Sequence, residues 1–402
     1  MNSTEFPYIT AIEVKDCFAY QDLGTIEVPP QNGKPFSHLI ITGRNGSGKS
    51  TILKGIDKAL ADNIFKIEEE NTKPYSFHVR YTEGRELIEN DFLKIYSKYG
   101  FFKRNTKNPT INPLKFLYVL LNAHRRLIVQ KVKSATSMED FEKNIFEKSD
   151  GFFDKQLKQF LVNKKVNQAF AQIQNDNVLV NSTSKFFTDF ENILKRYSND
   201  NGLFLTFESQ KYEFYINYSS GHKHTLEQSS DGLAAFLNLL INLFLRKDLI
   251  QTHLADYTYD PPGIVLIDEP ENHLHISAQY EVMPMLTTLF PNVQFIVATH
   301  SPAVISSIKN TVVYDITSRE TELDNMAGKG FTELMMTHFG LDNEFSPEGD
   351  KIINRVNSII QENKGNKKIT RELLSKVYEE EARYLSATLS LELESLILEN
   401  NL

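Results

Sequence analysis

The side chains of this sequence that could do chemistry fall into three groups. Asp268 and Glu269 close an apolar run, Gly263-Ile264-Val265-Leu266-Ile267, and adjacent acids at a strand end have separable tasks. The first supports a hydrated Mg²⁺, and the second faces a terminal phosphate as a base or water-positioning group. Acid pairs at strand ends are common. This one gains meaning from a second group, Gly43-Arg44-Asn45-Gly46-Ser47-Gly48-Lys49-Ser50-Thr51, which satisfies G-x-x-x-x-G-K-[ST] without a mismatch. Its glycines let successive backbone N–H groups turn inward around a phosphate, and the helix that follows adds its positive N-terminal end. Lys49 would reach the β/γ-phosphates and Ser50 would place its hydroxyl on Mg²⁺. The expected nucleotide contacts are Gly43, Asn45, Gly46, Ser47, Gly48, Lys49, Ser50 and Thr51, with Ser50 and Asp268 on the metal and Glu269 as the base. The third group is His300, also after an apolar run, which would sense the γ-phosphate or orient the attacking water. A lone histidine is more often structural. A glycine-rich turn matches the loop pattern by accident in about 1% of chains this long.

Positioning these groups requires strands that end at one place. The stretch 38–42 is apolar and strand-like, and 51–60 carries apolar residues at helical spacing, so the loop is flanked as it must be. The runs ending in Asp268 and in His300 read as buried parallel strands carrying a site at their C-terminal ends. Alternating patterns at 8–15 and 23–28 predict an antiparallel pair before the loop. Further strands are expected at 75–81, 116–121 and 312–316, and a hairpin at 203–207 and 212–218. Apolar spacings of three and four predict several amphipathic helices over 138–198, including Phe141, Ile145, Phe152, Phe160 and Phe190. A strongly apolar helix is expected from Leu233, and the last eighty or so residues read as helical and acidic.

Composition bounds the class. At 402 residues with 41% hydrophobic content the chain is globular, and its longest nearly apolar stretch, 233–245, is too short and too interrupted to span a bilayer. The N-terminus lacks the features of a signal peptide and Cys17 is the one cysteine, which together fit a reducing cytoplasm. The net charge of −8 is unevenly spread: residues 92–138 contain ten basic and no acidic side chains, among them Lys115, Arg125 and Arg126. Such segregation reads as a phosphate-binding face for nucleic acid, as a solvated surface, or as a basic edge docking on the protein's own acidic C-terminal region.

The phosphate loop, Ser229-Ser230-Asp231-Gly232, Ile267-Asp268-Glu269-Pro270-Glu271-Asn272-His273-Leu274-His275 and Ala298-Thr299-His300-Ser301-Pro302, in that order, resemble the ABC-type ATPase heads of the SMC/RecF/OLD group. The likeness covers about half the chain and is greatest to members whose motifs read DEPE-x-HLH and ATHSP, frequent among bacterial DNA-repair and anti-phage defence ATPases, Septu-like and PARIS-like subunits included. It implies an α/β fold: a P-loop NTPase head, mixed sheet with flanking helices, plus a helical insertion and a helical C-terminal region. The implied division is 1–82 and 201–320 for the head, 83–200 for a basic and helical insertion, and 321–402 beyond it. It further implies ATP and Mg²⁺ as ligands, with Glu269 and His300 catalytic. Ser230, Asp231 and Gly232 would form a signature loop that closes over ATP bound to a second copy, with His273 to His275 crossing the interface. The implied function is ATP hydrolysis in a dimer or higher oligomer that controls a separate effector in phage defence, with no membrane partner. A repair ATPase acting on DNA and an ATP-held scaffold are the alternatives. Leu233 and Ile276 depart from the usual motif residues, Asn122 stands in for the Q-loop glutamine, and no nuclease centre is expected after Pro302.

Overall fold

The computed structural model describes residues 8–17, 20–64, 78–82, 85–89, 93–97, 115–125, 127–136, 155–323, 326–339, 345–363 and 365–400. Arg126, the basic residues between 98 and 107, and the helical pattern around Phe141, Ile145 and Phe152 lie outside them. The chain divides into two compact units, Met1–Leu334 and Met335–Leu402.

In the first unit the hydrophobic runs become strands β1 (Ile9–Cys17), β2 (Tyr20–Glu27) and β3 (His38–Thr42), and β3 leads through the glycine loop into α1 (Lys49–Ile64). Three short strands follow, β4 (His78–Thr82), β5 (Arg85–Glu89) and β6 (Leu93–Ser97), then β7 (Leu117–Leu121). Helices α2 (Leu157–Gln174) and α3 (Asn177–Ser198) precede a meander of β8 (Phe204–Glu208), β9 (Glu213–Asn217) and β10 (Lys223–Thr225). After it come α4 (Asp231–Leu254), β11 (Gly263–Asp268), α5 (Ile276–Leu289), β12 (Val293–Ala298), the single turn α6 (Pro302–Ile305), β13 (Thr311–Asp315) and β14 (Glu320–Leu323), and the boundary between the units falls within α7 (Phe331–Phe339).

Among the described residues, six strands form the central sheet in the order β14-β13-β3-β12-β11-β7, all parallel except β14 at one edge. Strands β3, β11 and β12 are buried along their whole length, as a parallel sheet covered on both faces requires. On one side lie α1, through Ile52, Leu53, Ile56 and Leu60, and strands β1 and β2, through Ile12, Val14 and Ile26, in a common core with Leu39, Ile41, Leu266 and Ile296; β1 and β2 belong to a five-stranded antiparallel sheet, β2-β1-β6-β5-β4. Strands β5 and β6 have no counterpart in the sequence reading, because Glu86, Glu89 and Lys94 interrupt the apolar pattern. Pairing supplies what the pattern lacks: β6 adds directly to β1, with Ile12 opposite Ile95 and Val14 opposite Leu93.

The register decides where the site lies. Asp268 is level with Ala298, Ala298 with Ile41, and Thr42 with Asp315, so β11, β12, β3 and β13 end together at one edge. That edge, at the carboxyl ends of parallel strands, is where open α/β sheets bind ligands. Helix α4 is buried on nearly every side and packs with the α2–α3 hairpin, whose Phe160, Phe186 and Phe190 cluster with Phe244. An ion pair between Lys164 and Asp248 joins α2 to α4.

The second unit, Met335–Leu402, is helical, whereas the stretch expected to be helical from 321 opens on the end of β14 (Glu320–Leu323). Helices α8 (Pro347–Glu362), α9 (Lys367–Glu381) and α10 (Ala387–Glu399) share a core of Ile352, Val356, Ile360, Leu374, Val377, Leu389 and Leu393. Each begins with a side-chain cap, from Ser346, Asn366 and Ser386 respectively. No helix of the described residues is long and apolar enough to cross a membrane.

Candidate nucleotide site

The loop after β3 turns with positive φ at Gly46 (78°) and Gly48 (97°), conformations that L-residues with a Cβ rarely adopt. Arg44, Asn45 and Gly46 are exposed at its tip, while Gly43, Ser47 and Lys49 are buried at its base. Gly48 then starts α1, its carbonyl accepting Ile52 N at 3.0 Å. A turn after β13 braces the loop, since Thr317 Oγ1 accepts Arg44 N at 3.1 Å and Asp315 Oδ1 accepts Thr317 N at 2.7 Å.

Lys49, only 7% exposed, folds back on its own loop and donates to Gly43 O at 2.8 Å and Arg44 O at 3.1 Å. Burial lowers its ammonium pKa, against the pull of Glu269, Asp268, Glu271 and Asp315. Asp268, at the end of β11, accepts the Ser50 hydroxyl; burial raises its carboxyl, and that hydrogen bond opposes the rise. Asp268 Oδ1 and Ser47 Oγ are buried without a hydrogen-bond partner. A hydroxyl beside a carboxylate with a spare buried oxygen is an oxygen donor set of the kind Mg²⁺ takes, so Ser50 and Asp268 fit the ion.

Glu269 follows in a left-handed conformation, φ 48°, for which a non-glycine residue gives up roughly 1–2 kcal/mol. Its N–H donates to Ala298 O at 2.8 Å and its carboxylate accepts Asn272 Nδ2 at 3.2 Å. His300, 44% exposed, brings Nδ1 within 3.6 Å of Glu269 Oε1 and 3.3 Å of Glu271 Oε1. The two residues named catalytic from sequence therefore meet at the strand ends.

Two further side chains hold this edge, and the sequence reading assigned neither of them this place. Glu271 is buried and its Oε1 accepts Thr299 Oγ1 at 2.7 Å and His300 N at 2.9 Å, fixing the segment that carries His300. Burial raises its carboxyl, and Oε2 has no partner. Arg125 corrects a sequence expectation. It is only 8% exposed and its guanidinium donates to the carbonyls of Asn122, Asp268 and Glu269, at 2.6, 2.7 and 2.6 Å. It is thus not part of a basic surface offered to nucleic acid. A run of positive charges in sequence carries no signal of which member turns inward; the only hint was its place just after a strand end.

The segment Ser230-Asp231-Gly232 opens α4. Ser230 Oγ accepts Leu233 N at 3.3 Å, a helix cap, and Asp231 occupies the first turn. Gly232 is needed for close approach: a Cβ there would stand 2.7 Å from His273 O and 2.9 Å from the Tyr197 hydroxyl. The loop after β11 and the end of α3 are thereby packed on the start of α4. Asn122 contributes its carbonyl to Arg125 at the end of β7.

A parallel sheet whose strand ends gather a glycine loop, its lysine and an acid from a neighbouring strand defines a P-loop nucleotide-binding fold. The family model described as "AAA domain, putative AbiEii toxin, Type IV TA system" matches residues 79–306, more than half of the chain, and the chain belongs to that family. The matched residues start beyond the phosphate loop and include Asp268, Glu269 and His300. The chain is 25% identical over 342 residues to "Retron Vc95 probable ATPase" of Vibrio cholerae serotype O1 biovar El Tor, covering 67% of this chain and 66% of that protein. It is also 25% identical over 277 residues to "Septu protein PtuA" of Bacillus mycoides (strain KBAB4), covering 66% of this chain and 34% of that one. The match thus spans less than two thirds of the length of both relatives.

Proposed function

We propose that this chain is an ABC-type ATPase that binds ATP at the edge formed by β3, β11 and β12 and hydrolyses it there. The observation that carries the reading is the meeting of Lys49, Ser50, Asp268 and Glu269 at one sheet edge, with Asp268 Oδ1 buried and unpartnered. Lys49 leaves the loop carbonyls for the β/γ-phosphates, and the backbone N–H groups of Asn45 to Thr51 surround them. Ser50 and Asp268 hold Mg²⁺, which when bound neutralises charge that develops on the phosphate oxygens. Glu269 takes the proton of the attacking water, and His300, held through Glu271, contacts the terminal phosphate.

The same reading makes Ser230, Asp231 and Gly232 the part that a second copy supplies across a dimer, and makes ATP occupancy the signal to a separate effector in phage defence. Its support is the motif resemblance together with relatives named for retron and Septu systems. The head would be built from 1–82 and 201–320, on either side of an insertion over 83–200, and 321–402 would follow it. Steady-state ATPase assays with Mg²⁺, with and without DNA, test this. Turnover that survives Lys49→Ala would sink the site, and a particle that stays monomeric by light scattering with ATP and Mg²⁺ would sink the shared arrangement.

A further inference from the structure

The peptide units that end β11 are held from behind by the Arg125 side chain. Arg125 Nη1 lies between Asp268 O and Asn122 O, and Nη2 takes Glu269 O, so one plane of donors joins the end of β7 to the turn that carries both acids. Asn272 makes a second link of the same kind, with Nδ2 at 3.2 Å from both Ala123 O and Glu269 Oε2. The turn so held is the one with left-handed backbone at Glu269. A strained conformation persists only where its surroundings over-determine it. A planar guanidinium fork suits this task because its donors are fixed relative to one another, whereas an ammonium group offers a point charge on a flexible stem.

We propose that Arg125 is a positioning residue for hydrolysis: it fixes the Asp268–Glu269 backbone so that the Glu269 carboxylate is aimed, and it acts on turnover without acting on nucleotide binding. The inference rests on Glu269 being the residue that activates water. The phosphate loop reaches the nucleotide through its own backbone N–H groups and Lys49, carried by β3 and α1, and meets the end of β11 through the Ser50–Asp268 hydrogen bond, so most of its grip comes from outside the turn after β11.

Arg125→Lys retains the buried charge and Arg125→Gln retains planar donors. Whichever binds a fluorescent ATP analogue at the parental stoichiometry is assayed per binding site. The expected result is a fall in kcat of about tenfold or more, with KM and analogue affinity within about threefold of the parent. In a Glu269→Gln background the same substitution should lower the residual rate by less than about twofold, since residues acting as one unit are not additive. Parental kcat in both variants, an equal loss of nucleotide affinity, or full additivity with Glu269→Gln would each overturn the proposal. Loss of analogue binding in both variants would do so too, because binding would then depend on Arg125. A parent that does not hydrolyse ATP overturns the ATPase reading as well, whereas an active parent with an equally active variant overturns this one alone.

Discussion

At the end of β3 and at the start of α4 the chain builds one device twice, a loop that runs into a helix N-terminus with serines beside it. The polar atoms of the two differ in how they are engaged. In the first, Ser47 Oγ and the neighbouring Asp268 Oδ1 are buried with no partner, and Lys49 rests on its own loop's carbonyls. In the second, the Ser230 oxygen is already engaged by Leu233 N, although Ser229 Oγ beside it is buried and unpaired. The glycines differ too. Gly46 and Gly48 are there for their backbone angles, Gly232 for the lack of a side chain beneath His273 O. Buried polar atoms without partners are costly, so the β3 end is poised to gain from a ligand, while the α4 end must exchange a bond that it already has.

The largest effect should come from chemistry that only the first end carries. Glu269→Gln keeps the shape and the contact with Asn272 but removes the base, so turnover should fall roughly 10²-fold to 10⁴-fold while ATP stays bound. A variant that turns over ATP at the parental rate would take Glu269 out of that role. Lys49→Ala comes next. Its ammonium is the charge that compensates the phosphates in a partly desolvated loop, and losing it should weaken a fluorescent ATP analogue by about 100-fold. Affinity within a few-fold of the parent would mean that the loop backbone alone holds the nucleotide.

The first end can also be weakened from below, through pH. His38 begins β3, where its Nδ1 accepts Phe295 N at 3.1 Å, and burial, with Lys34 nearby, pushes its imidazole down to about 3. A histidine depressed in the fold stays neutral there while the unfolded chain takes up a proton below its ordinary value near 6.5. Stability from this source is therefore complete above about pH 6.5 and declines as pH falls toward 3. Between pH 7 and pH 5 the decline should be about 2 kcal/mol. His38→Asn places an amide oxygen near the same acceptor position and does not titrate. Urea midpoints at the two pH values should differ by that much less in the variant. Equal differences would show that other groups dominate acid sensitivity.

These two ends were not equally legible in the amino-acid sequence. The β3 loop was legible because its requirements are chemical: glycines where angles demand them, a lysine and a hydroxyl at fixed spacing, and apolar strands that burial makes nearly continuous. Asp268 and Glu269 were legible for the same reason, as polar residues ending an apolar run. Arg125 was read as surface because a charged residue gives no local sign of burial; its place depends on β7 lying beside β11, which brings its guanidinium to a carbonyl 143 residues away. Strands β5 and β6 were missed because β6 is held by pairing with β1, and β5 by pairing with β6, rather than by their own pattern. Ser230 falls between these cases, since a serine before an apolar helix is a cap whatever else it does.

The smallest expected effect separates the two tasks of Ser230. Ser230→Ala removes the cap and should lower stability by about 1 kcal/mol. Ser230→Asp keeps a cap oxygen and adds a charge favoured at a helix N-terminus, so its urea midpoint should match or slightly exceed the parent's. If Ser230 only caps α4, ATP hydrolysis in the aspartate variant should also match the parent. If it faces a phosphate carried by a second copy, the added carboxylate meets like charge, and hydrolysis should fall several-fold although the fold is no weaker. ATP binding to the loop of the same subunit should stay within about twofold, because Ser230 hydrogen-bonds within its own helix. A stable aspartate variant with parental turnover at every protein concentration would reduce the α4 end to a helix cap and leave the β3 end as the whole site.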